Sequence, residues 1–366
     1  MFNQLLEKIA YNAPNTDFAG NFPKEEFKWL AEEGLLKIVL PDQLLDYNKP
    51  TLKCLLHLLK NIGSSNLSVG RIYEGHLNAL QLIHSFATPQ QKCTWHNLIK
   101  NNNTLFGVWN TEAEVGVEIH EIPGGYRLKG SKCYCSGAHW IERPIVTGKI
   151  ISTKRNGWQM CVIPVEKVLP IKEDTSFWDP TGMKASASFK MDFTGIEIRE
   201  EDLLGEPDCY YKEPHFNGGA IRFAAVQLGG AIAIMENTHL LLKSFKRTET
   251  DFQRARMTEM AILAESGNNW LNSVGTKTDE WLKHPEFITK VTNYAGMVRL
   301  AIETICTRII YLSAVCVGPR GLMKPLILER LHRDLNFYLR QPGPDAVTID
   351  IGKFLFNKEK IENVWS

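Results

Sequence analysis

The sequence predicts an α+β chain in three parts: helical over 1–103, β over 104–205, and a helical bundle over 206–366. Three observations carry this. At both ends apolar residues recur every three or four positions, the spacing of a one-sided helix. The middle alternates apolar and polar residues between Gly-rich turns. The last part holds four long helical segments with short connections, roughly 219–247, 253–276, 286–316 and 322–340, the pattern of an up-down bundle. A chain of 366 residues is long enough for two or three domains and a large core.

In the first part, Lys24–Gly34 carries Phe27, Leu30 and Ala31 on one face and reaches a C-cap glycine at Gly34. Thr51–Ile62 places Leu52, Leu55, Leu56, Leu59 and Ile62 on one stripe, and a further segment runs through Tyr73–Phe86. Thr88 is a natural N-cap with Pro89 at the first helical position. In the middle part, Leu105, Phe106 and Val108 open an extended run that ends in Trp109-Asn110-Thr111-Glu112. Runs at 116–122, 126–129 and 133–137 follow, separated by Pro123-Gly124-Gly125 and Gly130-Ser131, and predict an antiparallel meander. Trp158–Val165, an alternating Ala185–Phe193 and Ile196–Arg199 complete the strands. In the last part, Val298, Ala301, Ile302, Ile305 and Ile309 keep helical spacing.

Composition excludes several functions. Forty-two basic against 41 acidic residues, with no basic block, argue against nucleic-acid or membrane-surface binding. The N-terminus lacks the charge and apolar core of a secretory signal, and the longest apolar run, near Val226–Met235, is too short to cross a bilayer. Eight scattered cysteines without a CxxC pair predict buried thiols in a cytoplasmic protein. The ten histidines show no HxxxH or HExxH spacing, so no metal site is expected. What remains is a small-molecule site. Trp109 and Tyr134 at strand ends suit the face of a flat polar ring, and the hydroxyls of Thr111 and Ser136 suit its edge.

These residues carry a resemblance to the acyl-CoA dehydrogenase superfamily of flavoproteins. In that family a Thr-Glu strand end and a Gly-x-Lys-x-aromatic-x-Thr/Ser strand hold the isoalloxazine. The matching positions are Thr111-Glu112 and Gly130-Ser131-Lys132-Cys133-Tyr134-Cys135-Ser136. Two further stretches match: the run from Ala87 to Glu112, with Ala87 where the family usually has Gly, and the stretch from Phe177 to Gly205, with Gly182, Ser186, Leu203, Leu204 and Gly205 in place and Lys184 for the common Arg. The resemblance implies an N-terminal α-helical domain, a middle β-barrel or sandwich domain and a C-terminal four-helix bundle, with boundaries at 103 and 205. It implies FAD, with FMN as the alternative, bound by Trp109, Asn110, Thr111, Tyr134, Ser136 and, across a subunit interface, Arg247. It also implies a homodimer or homotetramer.

The departures concern chemistry. The family's catalytic Glu falls on Pro342, and its alternative position, just before Arg222, is Ile221. The catalytic residue is therefore unknown; Asp345, Glu112 and His332 are nearby carriers of acid–base groups by motif alone. Arg247 lacks the family's following Phe-Gly, the glycine-rich turn at Val315–Gly321 has Val315 for Gln, and the loop after Glu112 lacks the family's phosphate-binding Ser. Three functions follow. The first is oxidation of the CH–CH group of an acyl thioester or related substrate with flavin as hydride acceptor. The second is a flavin-dependent monooxygenase or oxidase, which needs no such base and which Tyr134-Cys135-Ser136-Gly137 resembles. The third is a non-catalytic binding or scaffold relative.

Overall fold

The computed structural model describes residues 2–165, 172–340 and 343–366; Pro342, the position of the missing glutamate, lies outside them. The N-terminal helices are α1 (Phe2–Ala19), α2 (Lys24–Glu32), α3 (Leu52–Ser65), α4 (Leu67–Phe86) and α5 (Pro89–Asn102). Local chemistry sets their ends. Asn66 caps α4, its side chain accepting from the backbone N–H of Ser68 (2.9 Å) and Val69 (3.3 Å). Thr88 and Gln91 form a reciprocal capping box on α5, and Gln91 also donates to the carbonyls of Glu201 and Leu203. That second pair of bonds ties the helical part to the β part.

The strands are β1 (Phe106–Trp109), β2 (Glu118–Ile122), β3 (Gly125–Lys129), β4 (Ser131–Cys135), β5 (Arg143–Ile151), β6 (Asn156–Val162), β7 (Lys172–Asp174), β8 (Phe189–Asp192), β9 (Glu197–Ile198) and β10 (Leu203–Leu204). They form two sheets. One runs β10-β6-β5-β2-β3-β9 with β1 also on β5, and the other runs β4-β8-β7. The expected meander is corrected here: β2 and β3 form a hairpin, but β1 and β2 both lie parallel to β5. Gly130, at φ +110°, turns the chain out of the first sheet, so β4 pairs with β8 in the second. The expected strand over Ala185–Phe193 is also shorter. Lys184–Ser186 is a 3₁₀ turn and Ala187 sits at φ +43°, because this segment uses its carbonyls to accept from the N–H of Gly137 and Ala138.

The bundle comprises α6 (Ala220–Ser244), α7 (Asp251–Trp281), α8 (Ile288–Gly321), α9 (Ile327–Tyr338) and α10 (Pro344–Phe356), the last not expected from the sequence. Val298, Ile302, Ile305 and Ile309 of α8 are buried. Helix α3 joins the bundle by crossing α6 at glycines: a Cβ on Gly229 would strike the Lys60 carbonyl, and one on Gly63 the Val226 carbonyl. The mixed α+β architecture of helices, β sandwich and helical bundle is the one the sequence implies.

The expectation that nothing is long and apolar enough to cross a bilayer is corrected. The helices within 217–244 and 285–321 both pass that test by length and composition, because isolated polar residues interrupt their apolar runs without lowering the average much. The best window of the first is 78% buried by its neighbours, as a core bundle helix should be, and that of the second 44%.

Candidate functional site

The site grows from a bulge in β4. Lys132 pairs with Met191 and Cys135 with Phe189, so Cys133 and Tyr134 together oppose one residue of β8. Tyr134 takes φ +54° and turns outward, 52% exposed. Its ring meets Phe177 (centroids 5.2 Å) and Trp178 (6.2 Å) edge-on. Eight non-glycine residues among those described have positive φ, and four of them, Tyr134, His139, Met183 and Ala187, lie in this bulge and the turns around it. Strain gathered in one place marks a segment whose conformation serves something other than its own stability.

The end of β1 lies against this bulge. Trp109 Nε1 donates to the Ser136 carbonyl at 3.1 Å, and the Thr111 carbonyl accepts from Cys133 N–H at 3.0 Å. Trp109 is 2% exposed and packs on Phe193, so it supports the site from beneath and shows no ring face to solvent. Thr111 is exposed. Ser136 Oγ lies 2.9 Å from Ser188 Oγ, which lies 2.8 Å from Ser186 Oγ. Of the six residues picked from sequence, five are thus gathered within neighbouring segments. Arg247 stands apart, exposed beyond the far end of α6, its guanidinium 5.7 Å from the Phe245 ring.

Beneath the surface Asn110, Glu112 and Lys132, all within the motif stretches, meet in a polar cluster with Thr147 and Tyr211, which sequence reasoning missed. Lys132 is fully buried, and its ammonium donates to the Asn110 carbonyl (3.0 Å), to Glu112 Oε1 and to Thr147 Oγ1 (3.1 Å). Three N–H groups meet three oxygens, so the cation is fully satisfied. Burial pushes its pKa below the ordinary lysine value, and the Glu112 carboxylate opposes that shift. Glu112 also accepts from Val117 N–H at 2.8 Å. Thr147 Oγ1 and the Tyr211 hydroxyl both approach Asn110 Oδ1, at 2.6 and 3.2 Å. The available signals were the Gly-x-Lys spacing and a polar Thr147 directly after the apolar pair Ile145-Val146.

Of the other acid–base candidates, His332 is engaged and Asp345 is exposed. Ile221 is buried. Arg222, beside it, binds Glu74 (3.3 Å), Asn78 (2.5 Å) and Gln81 on one face of α4. His332 Nε2 contacts Ser313 Oγ at 3.0 Å, and burial lowers its pKa to about 4. Asp345 is exposed in the first turn of α10. Trp140 stacks on Phe22, while His139 is exposed. A depression of about 770 Å³ between α8 and α10, lined by Glu303, Arg308, Tyr311 and Thr348 among others, includes none of the six residues picked from sequence.

The chain matches no family model. It is 25% identical over 346 residues to a probable acyl-CoA dehydrogenase, YngJ, of Bacillus subtilis, covering 90% of this chain and 88% of that one. It is 24% identical to the mitochondrial isovaleryl-CoA dehydrogenase of Arabidopsis thaliana, over 96% of this chain and 88% of that one. Over most of its length the chain is thus similar to acyl-CoA dehydrogenases. It also matches a dibenzothiophene monooxygenase of Rhodococcus erythropolis, 25% identical over 56% of this chain and 51% of that one. Its fold superposes on TdsC of Paenibacillus sp. A11-2, solved with FMN and indole, at a TM-score of 0.89, 18% identity, and coverage of 99% and 98%. At that identity the likeness to TdsC is one of fold.

Proposed function

We propose that this chain is a flavin-dependent oxidoreductase acting on a small molecule, with the flavin ring held between the end of β1 and the β4 bulge. The observation that carries the reading is the convergence of Asn110, Thr111, Tyr134 and Ser136 on that strained bulge. Tyr134 supplies an exposed aromatic surface, and the hydroxyls and amide supply polar contacts, the pairing a flat ring with a polar edge requires. Similarity to flavin enzymes over most of the chain supports it.

The ring end fits; the phosphate end is less provided for. Ala113 N–H is spent on the Ser131 carbonyl (3.3 Å) and Val117 N–H on Glu112, so two N–H groups of this loop are not available to a pyrophosphate. That favours FMN, or FAD whose adenylate end is held by a second subunit through Arg247. On this reading residues 1–103, 104–205 and 206–366 are three domains, and the protein is a cytoplasmic homodimer or homotetramer.

Bound flavin would accept a hydride from substrate or, when reduced, react with oxygen. For hydride removal from an acyl thioester the chain must also hold a base. Ile221 offers none, and Glu112 is committed to Lys132 and Val117. These commitments favour the second reading, oxygen transfer in the manner of a monooxygenase, over dehydrogenation of an acyl thioester. In either case this chain's residues orient the ring, while Phe177 and Trp178 pack edge-on against Tyr134 and brace it.

The test is the visible spectrum of the purified protein titrated with FMN and with FAD, then the reactivity of the reduced protein towards acyl-CoAs and towards oxygen. Stoichiometric flavin, lost in a folded Thr111→Ala/Ser136→Ala double variant, is the expected result. No uptake of either flavin would return the chain to a binding or scaffold role.

A further inference from the structure

We infer that Lys132, Thr147 and Tyr211 are positioning residues that lock the Asn110 side-chain amide with its N–H₂ turned away from the buried cluster, as a hydrogen-bond donor to an acceptor atom of the flavin ring. The inference rests on the flavin reading above and brings in Thr147 and Tyr211, which no sequence motif assigned.

The hydrogen-bond chemistry leaves one consistent arrangement. An ammonium only donates, so Thr147 Oγ1, 3.1 Å from Lys132 Nζ, is an acceptor in that bond. Thr147 is fully buried, and its hydroxyl proton needs an acceptor of its own. Among its described contacts that acceptor is the Asn110 side chain at 2.6 Å. The Asn110 atom facing Thr147 is therefore the carbonyl oxygen. Reversing the amide would set N–H against Thr147 and strand a buried hydroxyl proton. The Tyr211 hydroxyl, at 3.2 Å, supplies a second donor to the same oxygen. With two donors on Oδ1, the amide nitrogen points away from Lys132, on a half-buried residue between Trp109 and Thr111.

The cluster also explains why a lysine is buried at all. Burying an ammonium is unfavourable in itself, so burial alone is no reason for a lysine here. What the ammonium adds is direction. It fixes the Asn110 backbone through its carbonyl and the Asn110 side chain through Thr147. One buried cation thereby sets both ends of the residue whose amide would meet the ring.

The test is flavin affinity and the visible spectrum of bound flavin in Thr147→Val, Thr147→Ser, Tyr211→Phe and the unaltered protein, with FMN as the probe and folding checked by circular dichroism. Thr147→Val keeps the shape and removes the hydroxyl. It should weaken FMN binding by about tenfold, the weight of one oriented hydrogen bond, and shift the bound spectrum. Thr147→Ser should restore both, which a purely structural role for the methyl would not. Tyr211→Phe, a change at a surface side chain, should weaken binding by a few-fold, on the order of twofold to fivefold, and keeps the inference testable if Thr147→Val misfolds. Wild-type affinity and spectrum in Thr147→Val overturn this inference alone, as they do in Tyr211→Phe if that is the only folded variant. Equal loss in the Val and Ser variants also overturns it. No FMN uptake by the unaltered protein overturns the flavin reading, and this inference with it.

Discussion

Replacing Lys132 with Met tests whether the buried ammonium holds the β sandwich together or merely sits in it. The substitution removes three hydrogen bonds at once, to the Asn110 carbonyl, Thr147 Oγ1 and Glu112 Oε1. Breaking a fully buried pair from one side costs about 3–5 kcal/mol because the other charge is stranded. Glu112 is not stranded in that sense. Its side chain is 31% exposed and it keeps the Val117 N–H, so water replaces much of what the ammonium gave. The two remaining acceptors are each worth about 1 kcal/mol. Met also spares the chain the burial of a charge. The balance is a destabilisation of about 2 kcal/mol, measured as a fall in urea midpoint at pH 7 with an unchanged slope. Adding Glu112→Gln should recover part of it, with a coupling of about 1 kcal/mol in the double-mutant cycle. A Lys132→Met protein as stable as the unaltered one would refute the reasoning, since the ammonium would then be a net burden on the fold.

Acid should destabilise the protein through His76, whose buried ring accepts from Phe106 N–H (3.1 Å) and donates to the Leu36 carbonyl (2.8 Å). Burial lowers its pKa from 6.5 to about 4, so its stabilisation is complete above pH 6.5 and is lost as pH falls towards 4, at about 1.4 kcal/mol per unit. His76→Gln should remove that share of the slope in urea unfolding followed against pH, leaving the shares of His96 and His332, both also lowered to about 4. Gly182→Ala should destabilise by about 1–3 kcal/mol, because a Cβ there strikes the Arg333 carbonyl; unchanged thermal unfolding would contradict the packing of this turn on α9. Thr88→Ala should lower stability by about 1 kcal/mol through loss of the α5 capping box, readable in the same melt. Pro342→Glu should not create strong acyl-CoA dehydrogenase activity, since Gly343 at φ +75° and Pro344 at the first turn of α10 already fix the neighbouring backbone; robust turnover of an acyl-CoA would contradict this.

What the sequence made legible was local. The Thr88 cap, the apolar stripe of α3 and the spacing of Val298 to Ile309 depend on residues within a turn or two of one another, and these features are read directly from order. The partition of strands into two sheets depends on Gly130 sending β4 to β8, a pairing across some sixty residues, roughly the span that alternation patterns cannot specify. Ala185–Phe193 misled for the same reason. Alternating Ala and Ser satisfy a strand pattern, but the demand of Gly137 and Ala138 for acceptors folds that segment into a turn. The candidate site divides in the same way. Tyr134 and Ser136 were visible in a motif, whereas Thr147 and Tyr211 reach Asn110 from 37 and 101 residues away.

The position of the site follows from where the two sheets part. A strand that leaves one sheet for another cannot keep an unbroken ladder, and the mismatch appears here as the β4 bulge. Nearby backbone groups then find partners outside the ladders: Gly137 and Ala138 pair with Ser186 and Ala187, Cys133 with Thr111, and Trp109 pairs through its side chain with Ser136. Such substitute bonds hold the left-handed residues in place at a cost of about 1–3 kcal/mol each, which a segment free to relax would not carry. On one side the parting exposes Tyr134; beneath it, Lys132 and Thr147 constrain Asn110. The opposite end of the turn at Gly182–Met183 is fastened to the bundle, with Met183 N–H donating to Asp334 at 2.7 Å and Arg333 to the Thr181 carbonyl at 3.0 Å. From Met183 the short turn leads to Ser186 and the hydroxyl ladder that ends at Ser136. The turn behind the bulge is thus hydrogen-bonded to the bundle, and Phe337 of α9 also meets Trp178, which in turn meets Tyr134.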